Sequence, residues 1–416
     1  MSKYFLTALA MVASVMLLAI ACGGEAEETE EAEVVIVQAP GTKSEADEQA
    51  RLAARPAGRL AEARIDHAAV LLQDGRLLVT GGKGIVKYPR GSLTDTAELF
   101  DPELLDWVLT SPMPMAREYH RSVLLEDGRV LVMGGRGSTS YPVSGVLFDP
   151  ASEEWSAAAD MESGRGNHEA TLLLDGRVLV TGGKTRVTYF ESGELYDPDS
   201  DAWTAAGSMS VTRAWHSATR LKDGRVLVSG GKQLAKQALA EVDIFDPSDD
   251  TWSRAADLAT ARRSHSSSLL ADGRVLVVGG YGLDKEPLAS AEIYDPSTGQ
   301  WSPAGTLQHA RADHTATLLS DGSVLVVGGV GEVTLTEAYD PETGTWEARA
   351  ELNQPRYLHT AALLADGTLM VTGGIEGRED GRRSDTAEIY DPGQDVWITG
   401  GGELDEAPTE EQPSGE

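Results

Sequence analysis

The sequence predicts an all-β protein built from seven copies of one four-stranded unit, and three observations support this prediction. One pattern recurs every 45 to 53 residues from Arg64 onward. The chain of 416 residues contains 45 glycines and only 6% aromatic residues, a composition that suits many short strands joined by turns. No stretch of the repeated region shows the apolar spacing of an amphipathic helix.

The repeat opens on Arg-x-x-His, passes through Asp-Gly and Gly-Gly, and closes on Tyr/Phe-Asp-Pro and a tryptophan. The Arg and His pairs are Arg64/His67, Arg117/His120, Arg165/His168, Arg213/His216, Arg262/His265, Arg311/His314 and Arg356/His359. The closing tryptophans are Trp107, Trp155, Trp203, Trp252, Trp301, Trp346 and Trp397. Seven of the eight histidines and seven of the eight tryptophans therefore belong to the repeat.

Each repeat contains four stretches of strand length, and the fifth repeat illustrates them. It predicts strands over 266–270, 274–278 and 291–294 and a fourth around Trp301. An Asp-Gly pair between two apolar runs favours a hairpin, because glycine tolerates a positive φ. The Asp-Pro pair at 295–296 ends the third strand, since proline has no amide donor.

Four antiparallel strands repeated at this interval are typical of a kelch propeller. The double glycine, the Tyr-Asp-Pro and the spaced tryptophan resemble the kelch family over residues 64–399. The resemblance implies a seven-bladed kelch-type β-propeller, with tryptophan and tyrosine packed between blades and paired glycines that let backbones approach closely. All seven repeats run in the same order, so no blade is evidently split between the two ends of the chain.

The N-terminus predicts export and lipid attachment. Lys3 precedes an apolar run over 4–21 that ends in Ala-Ile-Ala, a pattern typical of an export signal. With the following Cys22 this stretch resembles the bacterial lipobox, although Leu18 lies one residue further from the cysteine than the family prefers. The resemblance implies removal of 1–21 and lipidation of Cys22. An uncleaved membrane anchor is the alternative, because the run is at the low edge of spanning length.

The charge is concentrated in the tails. The net charge is −31, and residues 23–50 carry nine acids and one base while residues 403–416 carry six acids and no base. Such acidic, weakly apolar segments are typical of disorder, so we expect an acidic linker over 22–58, a propeller over 59–400 and an acidic tail over 401–416. The charge argues against nucleic-acid binding. Cys22 is the sole cysteine, so no internal disulfide can form.

Strand polarity predicts which face of the propeller binds. In an up-and-down blade, the second turn and the link to the next blade share one face, and here the second turns vary most, which is typical of binding loops. They span 83–96, 136–144, 184–193, 232–240, 281–290, 331–336 and 375–386. We call this the variable-loop face. Its bases and tyrosines suit an anionic or sugar-like ligand or a partner protein, although acids such as Asp284 and Glu376 leave ordinary solvated loop charge as an alternative.

The candidate ligand residues lie on this face and at the adjoining channel mouth. They are Arg117, Tyr119, His120, Arg136, Tyr141, Arg186, Tyr189, Trp215, His216, Tyr281, Arg356 and His359. For the repeated Arg and His, a structural role is the alternative: the arginine could satisfy carbonyls or a carboxylate, and the histidine could hydrogen-bond across strands.

A copper oxidase is disfavoured. The Arg117-Glu118-Tyr119-His120 stretch resembles the Tyr-His segment of galactose oxidase and its relatives. That family also needs a second histidine and a tyrosine cross-linked to a cysteine, and the sole cysteine here precedes the propeller. Hydrolase, metalloprotease and phosphate-loop motifs are missing from the sequence, so we expect no cofactor.

Two functions remain open from the sequence. The first is a monomeric, lipid-anchored binding or scaffold protein of the bacterial cell envelope, held in the outer membrane or on the outer face of the cytoplasmic membrane, with a protein or carbohydrate partner. The second is an envelope carbohydrate-active enzyme, epimerase- or lyase-like, with its site at the channel mouth. Fold alone cannot decide between them.

Overall fold

A computed structural model of the chain describes residues 58–84, 93–377 and 381–399. Within these residues there is no helix, and the strands form seven four-stranded antiparallel sheets and two short two-stranded ones. No helix in the described ranges is long and apolar enough to span a membrane. Cys22 and the predicted segments 1–21 and 401–416 lie outside the described residues, as does the predicted linker up to residue 57.

Each four-stranded sheet is one blade, and its strands are consecutive in the chain apart from the short pairs. The blades are, in order, Ala68–Leu71, Leu77–Thr80, Ala97–Asp101 and Asp106–Thr110; Glu118–Leu124, Val130–Arg136, Ser144–Asp149 and Glu154–Asp160; Glu169–Leu172, Val178–Thr181, Ser192–Asp197 and Ala202–Ser208; Ser217–Arg220, Val226–Ser229, Val242–Asp246 and Thr251–Arg254; Ser266–Leu269, Val275–Val278, Leu288–Asp295 and Gln300–Arg311; Thr315–Leu318, Val324–Val327, Leu335–Asp340 and Thr345–Glu351; and Thr360–Leu363, Leu369–Thr372, Ala387–Asp391 and Val396–Thr399. The short sheets pair Arg64–Ile65 with Lys83–Gly84 and Arg356–Tyr357 with Ile375–Glu376.

The predicted fold class is confirmed, and the fifth blade shows where strand ends differ from the prediction. Its third strand begins at Leu288 rather than at residue 291. The extension pairs Leu288 with Arg311 and Ser290 with Thr306 across register shifts. The Asp-Gly turn forms as predicted, with Gly273 at a φ of 95°.

The hydrophobic core is divided into seven clusters, one at each seam between neighbouring blades. In every blade the Tyr or Phe of the third strand packs on the repeat tryptophan, with ring centroids 5.0–5.3 Å apart. Six of these tryptophans also donate from Nε1 to a backbone carbonyl of the preceding blade at 2.6–3.2 Å. The aromatic residues therefore join blades as well as filling them.

The ring closes between blades 7 and 1. The first strands follow one another around the ring, and that of blade 7 contacts that of blade 1. In the third strand of blade 7, Glu388 pairs with Thr399. Thr386, directly before that strand, pairs with Arg59. Leu60 is 2% exposed and lies in the cluster between these two blades. The N-terminal segment thus continues the outer edge of blade 7 beyond the point where the C-terminal strand ends.

Candidate functional site

The arginine of Arg-x-x-His lies inside its blade. All seven are 0–1% exposed, and Nη1 of each donates to the carbonyl of the first glycine of the Gly-Gly pair at 2.7–3.1 Å. In six blades Nη2 pairs with a buried carboxylate of the third strand. The partners are Glu98, Glu194, Asp243, Glu292, Glu337 and Glu388.

The same carboxylates hold the segment through which the chain enters the blade. Glu194 accepts from Arg165 at 2.6 Å and from the amide of Glu162 at 2.7 Å. Glu292 likewise accepts from Arg262 and from the amide of Ala259. Each ion pair therefore fixes where a new first strand begins, and with it the position of the channel mouth.

The arginine backbone also ties neighbouring blades. The amide of the second glycine in each blade donates to the arginine carbonyl of the next blade at 2.8–2.9 Å, and the bond from Gly374 to Arg64 closes the ring. The first glycine of the pair is also required, for space as well as for its positive φ. At Gly230 a Cβ would lie 2.5 Å from the Arg262 carbonyl oxygen, a separation that side chains do not tolerate.

The repeat histidines pack against the preceding blade. All seven are at most 9% exposed, and Nε2 of six lies 2.8–3.0 Å from a serine or threonine hydroxyl of that blade. Burial, reinforced by the neighbouring arginines, lowers the pKa of every one, to about 3 for His314 and well below the usual range for the others. They are neutral structural groups near pH 7.

Blade 2 lacks both the carboxylate that pairs with the repeat arginine and the hydroxyl that contacts the next repeat histidine. Val146 occupies the register position of the carboxylate, so Nη2 of the buried Arg117 has no hydrogen-bond partner. Met133 stands where blades 1 and 3 place the hydroxyl, and Arg121 stands where blades 4 to 7 place it, so neither ring nitrogen of His168 has a partner. Burial lowers the pKa of Arg117 to about 10, so this unpaired guanidinium still carries its charge at neutral pH.

The residue before each histidine forms the mouth itself. These seven residues all have a φ between 50° and 56°, a left-handed conformation uncommon outside glycine. They are Asp66, Tyr119, Asn167, Trp215, Ser264, Asp313 and Leu358. From Tyr119 to Leu358, each amide donates to the carbonyl of its counterpart in the preceding blade at 2.9–3.2 Å. The constant Arg and His thus hold a ring of seven half-buried side chains that differ from blade to blade.

These side chains line a cavity of about 410 Å³ at the channel mouth. Arg121 and Glu169, which follow their histidines, form an ion pair inside it, at 3.0 Å between Nε and Oε2. One wall of the cavity is basic and aromatic, and another contains carboxyl and phenol groups.

The basic wall consists of Trp215, which lines the cavity, and of the basic and aromatic side chains packed beside it. The Lys184 ammonium lies 5.0 Å from the Trp215 ring and 5.4 Å from the Tyr189 ring, and the Lys232 ammonium lies 5.9 Å from Trp215. Such distances allow cation–π attraction. Burial lowers the pKa of both lysines, and nearby cations lower it further, Arg136 for Lys184 and Arg263 for Lys232.

The acidic wall contains two tyrosine–carboxyl pairs. The Tyr281 hydroxyl donates to Asp313 Oδ2 at 3.0 Å, and the Arg263 guanidinium lies 4.4 Å from the Tyr281 ring. Burial, together with the negative charges of Glu118 and Asp313, raises the pKa of Asp66 to about 7. The Tyr119 hydroxyl opposes this rise, because it favours the ionised form of Asp66 and so lowers its pKa. Burial also raises the pKa of Asp313. At neutral pH Asp66 can therefore exist as a hydrogen-bond donor.

The candidate residues from the sequence fall into two groups. Tyr119, Trp215 and Tyr281 line the cavity, and Tyr189 packs on Trp215 with centroids 6.4 Å apart. Tyr141 is half-buried and Arg186 is exposed on the same face, while Arg136 is paired with the buried Glu118. The other group is buried: the side chains of Arg117, Arg356, His120 and His359 lie behind the mouth, and the buried His216 contributes to the cavity lining.

Sequence reasoning did not select Asp66, Arg263 and Asp313 as site residues. A signal was present, because Asp66 and Asp313 occupy the position before the histidine, which is the variable position within an otherwise constant motif. Arg263 follows the buried Arg262 directly, and only the left-handed turn shows that it faces the cavity.

Family comparisons agree with these blades. The sequence profile described as the KLHDC2/KLHL20/DRC7 kelch-repeats domain matches residues 205–374, and the kelch motif profile matches residues 170–210 and 356–401. The chain is a kelch-repeat β-propeller. No curated protein matches the sequence of this kelch-repeat chain.

Solved structures share the fold of this kelch-repeat chain without indicating its function. One is described as a "novel fungal alcohol oxidase with catalytic diversity among the AA5 family, in complex with copper". The match has a TM-score of 0.63 and 21% identity, and it covers 82% of this chain and 75% of the oxidase chain. At that identity the likeness establishes the fold alone.

The described residues do not fit the copper radical site that the resemblance of the Tyr119-His120 segment to galactose oxidase would require. Nε2 of His120 lies 2.9 Å from the Thr80 hydroxyl inside the blade seam, and the histidine is 1% exposed. In the described ranges no group of three or more His, Cys, Asp and Glu side chains is arranged to hold a metal ion. Cys22 lies outside those ranges. The donor set of a copper radical centre is therefore not assembled at the Tyr119-His120 segment.

The buried ion pairs predict a large effect for a single substitution. Glu194→Val gives blade 3 the arrangement of blade 2 and leaves the Arg165 guanidinium and the Glu162 amide without their acceptor. We expect the free energy of unfolding to fall by about 3–5 kcal/mol, measured by urea denaturation. As a control, the separate variant Glu154→Val, at an exposed position, should change the free energy of unfolding by less than about 0.5 kcal/mol. Equal losses would contradict the role given to the ion pair.

The neutral histidines predict acid sensitivity. Their pKa values are lowered in the folded protein, so below pH 6.5 the unfolded chain binds more protons than the folded one, and stability falls as the pH falls. Each histidine contributes a slope of up to about 1.4 kcal/mol per pH unit. We expect the thermal midpoint to drop steeply between pH 6.5 and 5, measured by circular dichroism. A midpoint that is constant over this range would contradict the burial of these groups as neutral imidazoles.

Proposed function

We propose that this kelch-repeat propeller is a lipid-anchored binding module of the bacterial cell envelope that acts as a monomer and engages a partner through its variable-loop face. The observation that carries the proposal is the ring at the mouth. Arg and His are the same in every blade because they build the frame, whereas the residue directly before the histidine is Asp, Tyr, Asn, Trp, Ser or Leu. Side chains that vary on a constant frame are typical of a binding surface.

The surroundings of the ring support the same proposal. Kelch propellers commonly bind proteins, and the mouth combines an aromatic ring, Trp215, with unpaired bases on neighbouring blades. Aromatic side chains and arginine are enriched where proteins bind one another, and Trp215, Tyr281 and Arg263 all line the mouth. The opposite face is formed by short Asp-Gly and Asp-Pro turns whose aspartates bond their own backbone, as Asp272 does with the amide of Arg274. A partner protein or a glycan therefore has more varied contacts on the variable-loop face.

The membrane attachment rests on the sequence around Cys22. The export-signal pattern and the lipobox-like Ala-Ile-Ala-Cys support lipid attachment at the start of an acidic linker. We expect Cys22→Ser to move the protein from the membrane fraction to the soluble fraction after cell lysis, measured by fractionation and immunoblotting. Unchanged partitioning, or retention of an uncleaved signal in both forms, would contradict lipid anchoring and favour a membrane-inserted anchor.

The binding face can be tested with matched surface variants of the full-length protein. We expect detergent-solubilised wild-type protein to retain a defined protein or glycan from envelope extract, and Trp215→Ala with Tyr281→Ala to lose it. Leu174→Ala with Lys222→Gln, on the Asp-Gly face, is the control and should retain it. Proteomic and monosaccharide analysis of the bound material identifies its class. Loss with the control pair, or no difference between the pairs, would contradict the proposal.

An envelope carbohydrate-active enzyme is the second candidate, and Asp66 is the observation that favours it. A carboxyl whose pKa lies near 7, beside a tyrosine in a cavity, has the acidity that general acid–base catalysis needs. If the protein turns over an envelope sugar, Asp66→Asn should abolish turnover while binding persists. Binding without turnover in the wild type would favour the binding module.

A further inference from the structure

Three consecutive blades carry one exposed aliphatic side chain each at the tip of the variable loop. Val187, Leu234 and Leu283 are 76%, 75% and 65% exposed. A single exposed aliphatic residue on a surface is ordinary, but these three occupy equivalent loops of blades 3, 4 and 5. Their loops also carry Lys184, Lys232 and Tyr281, of which the lysines lie against Trp215 and the tyrosine lines the mouth.

The same three blades supply cations without counter-charges. Lys184, Lys232 and Arg263 form no ion pair among the described residues, whereas Lys236 nearby is paired with Glu241 at 2.6 Å. Two of these cations share one indole ring, with ammonium-to-ring distances of 5.0 and 5.9 Å at Trp215. Like charges held this close repel one another. The pKa of Lys232 is lowered mainly by burial and further by the nearby cations Arg263, Lys184 and Lys285. An anionic group placed between the two lysines would relieve that repulsion.

We infer that this surface, here called the blade 3–5 rim, binds an acidic segment of a partner protein that also carries apolar side chains. The rim consists of Lys184, Val187, Trp215, Lys232, Leu234 and Leu283. The inference rests on the proposed function and names the partner's chemistry. A carboxylate of the partner lies between Lys184 and Lys232 above Trp215, and its neighbouring apolar side chains cover the aliphatic loop tips.

Charge and apolar character together select a protein over an acidic polysaccharide. The chain has a net charge of −31, so an acidic partner is repelled by most of the molecule and attracted at this rim, which provides orientation and specificity. A polysaccharide would use the bases and the indole face but has no aliphatic groups to cover Val187, Leu234 and Leu283. The buried core of a protein–protein interface is more apolar than the rest of the surface, which suits aliphatic side chains beside an aromatic residue.

Selection from a random peptide library displayed on phage, against the full-length protein in detergent, tests the inference. We expect the enriched peptides to combine Asp or Glu with Leu, Ile or Phe. Their affinity, measured by fluorescence anisotropy with synthetic peptides, should fall about tenfold or more in Lys184→Gln/Lys232→Gln and several-fold in Leu234→Ser. It should also weaken with added salt. The matched controls are Lys222→Gln/Arg254→Gln, with the same change in net charge, and Leu174→Ser, at a residue 60% exposed on the Asp-Gly face.

The outcomes separate this inference from the proposed function. Enriched peptides without acids, or acidic peptides that bind the double lysine variant as well as the wild type, would overturn the inference. Binding of polygalacturonate that depends on Lys184 and Lys232, with no peptide enriched at the rim, would also overturn it while leaving a glycan-binding module in place. If every enriched peptide bound the Asp-Gly face and neither peptides nor polygalacturonate bound the variable-loop face, the proposed function itself would fail.

Discussion

A guanidinium buried in every blade is the constraint on which the rest of this propeller depends. Burying a charge is costly unless it is paired and hydrogen-bonded, and in six of the seven blades the arginine is held by carbonyls and a carboxylate at fixed positions. Arg165 obtains them from Gly182, Ser192 and Glu194. Because those groups lie on the second and third strands, the first strand can begin at one place only. The same requirement, met in blade after blade, produces a circular mouth of regular geometry.

This frame separates stability from recognition within three residues of sequence. In Arg213-Ala214-Trp215-His216, the arginine and the histidine are buried in the blade and in the seam, while Trp215 turns into the cavity through its left-handed backbone. Substitution at the third position of the motif leaves the ion pair and the seam in place. Blade 2 marks the limit of this tolerance, because Nη2 of Arg117 and both ring nitrogens of His168 have no partner there, although Nη1 of Arg117 still donates to the carbonyls of Gly134 and Ser144.

The repeat made the fold predictable, whereas the site was predictable only in part. Seven in-phase motifs indicated blade number, strand order and the face with the long loops. They left the role of Arg and His open between structure and ligand binding, because the partner of Arg165 is 29 residues away on a strand whose register the sequence does not state. The meeting of Lys184 with Trp215 was not predictable, since it depends on two adjacent blades placing a loop and a mouth residue side by side. The raised pKa of Asp66 likewise arises from its burial in the assembled ring and from charges on other blades.

The central claim is that the buried arginine carries stability while the mouth residue two positions later is free for recognition. Comparing the unfolding midpoints of Arg213→Ala and Trp215→Ala in urea tests it most directly, because both substitutions lie in one motif. The account predicts a large fall in the midpoint for Arg213→Ala and a midpoint close to the wild type for Trp215→Ala. Similar falls for the two variants, or the reverse order, would contradict the separation of frame from mouth.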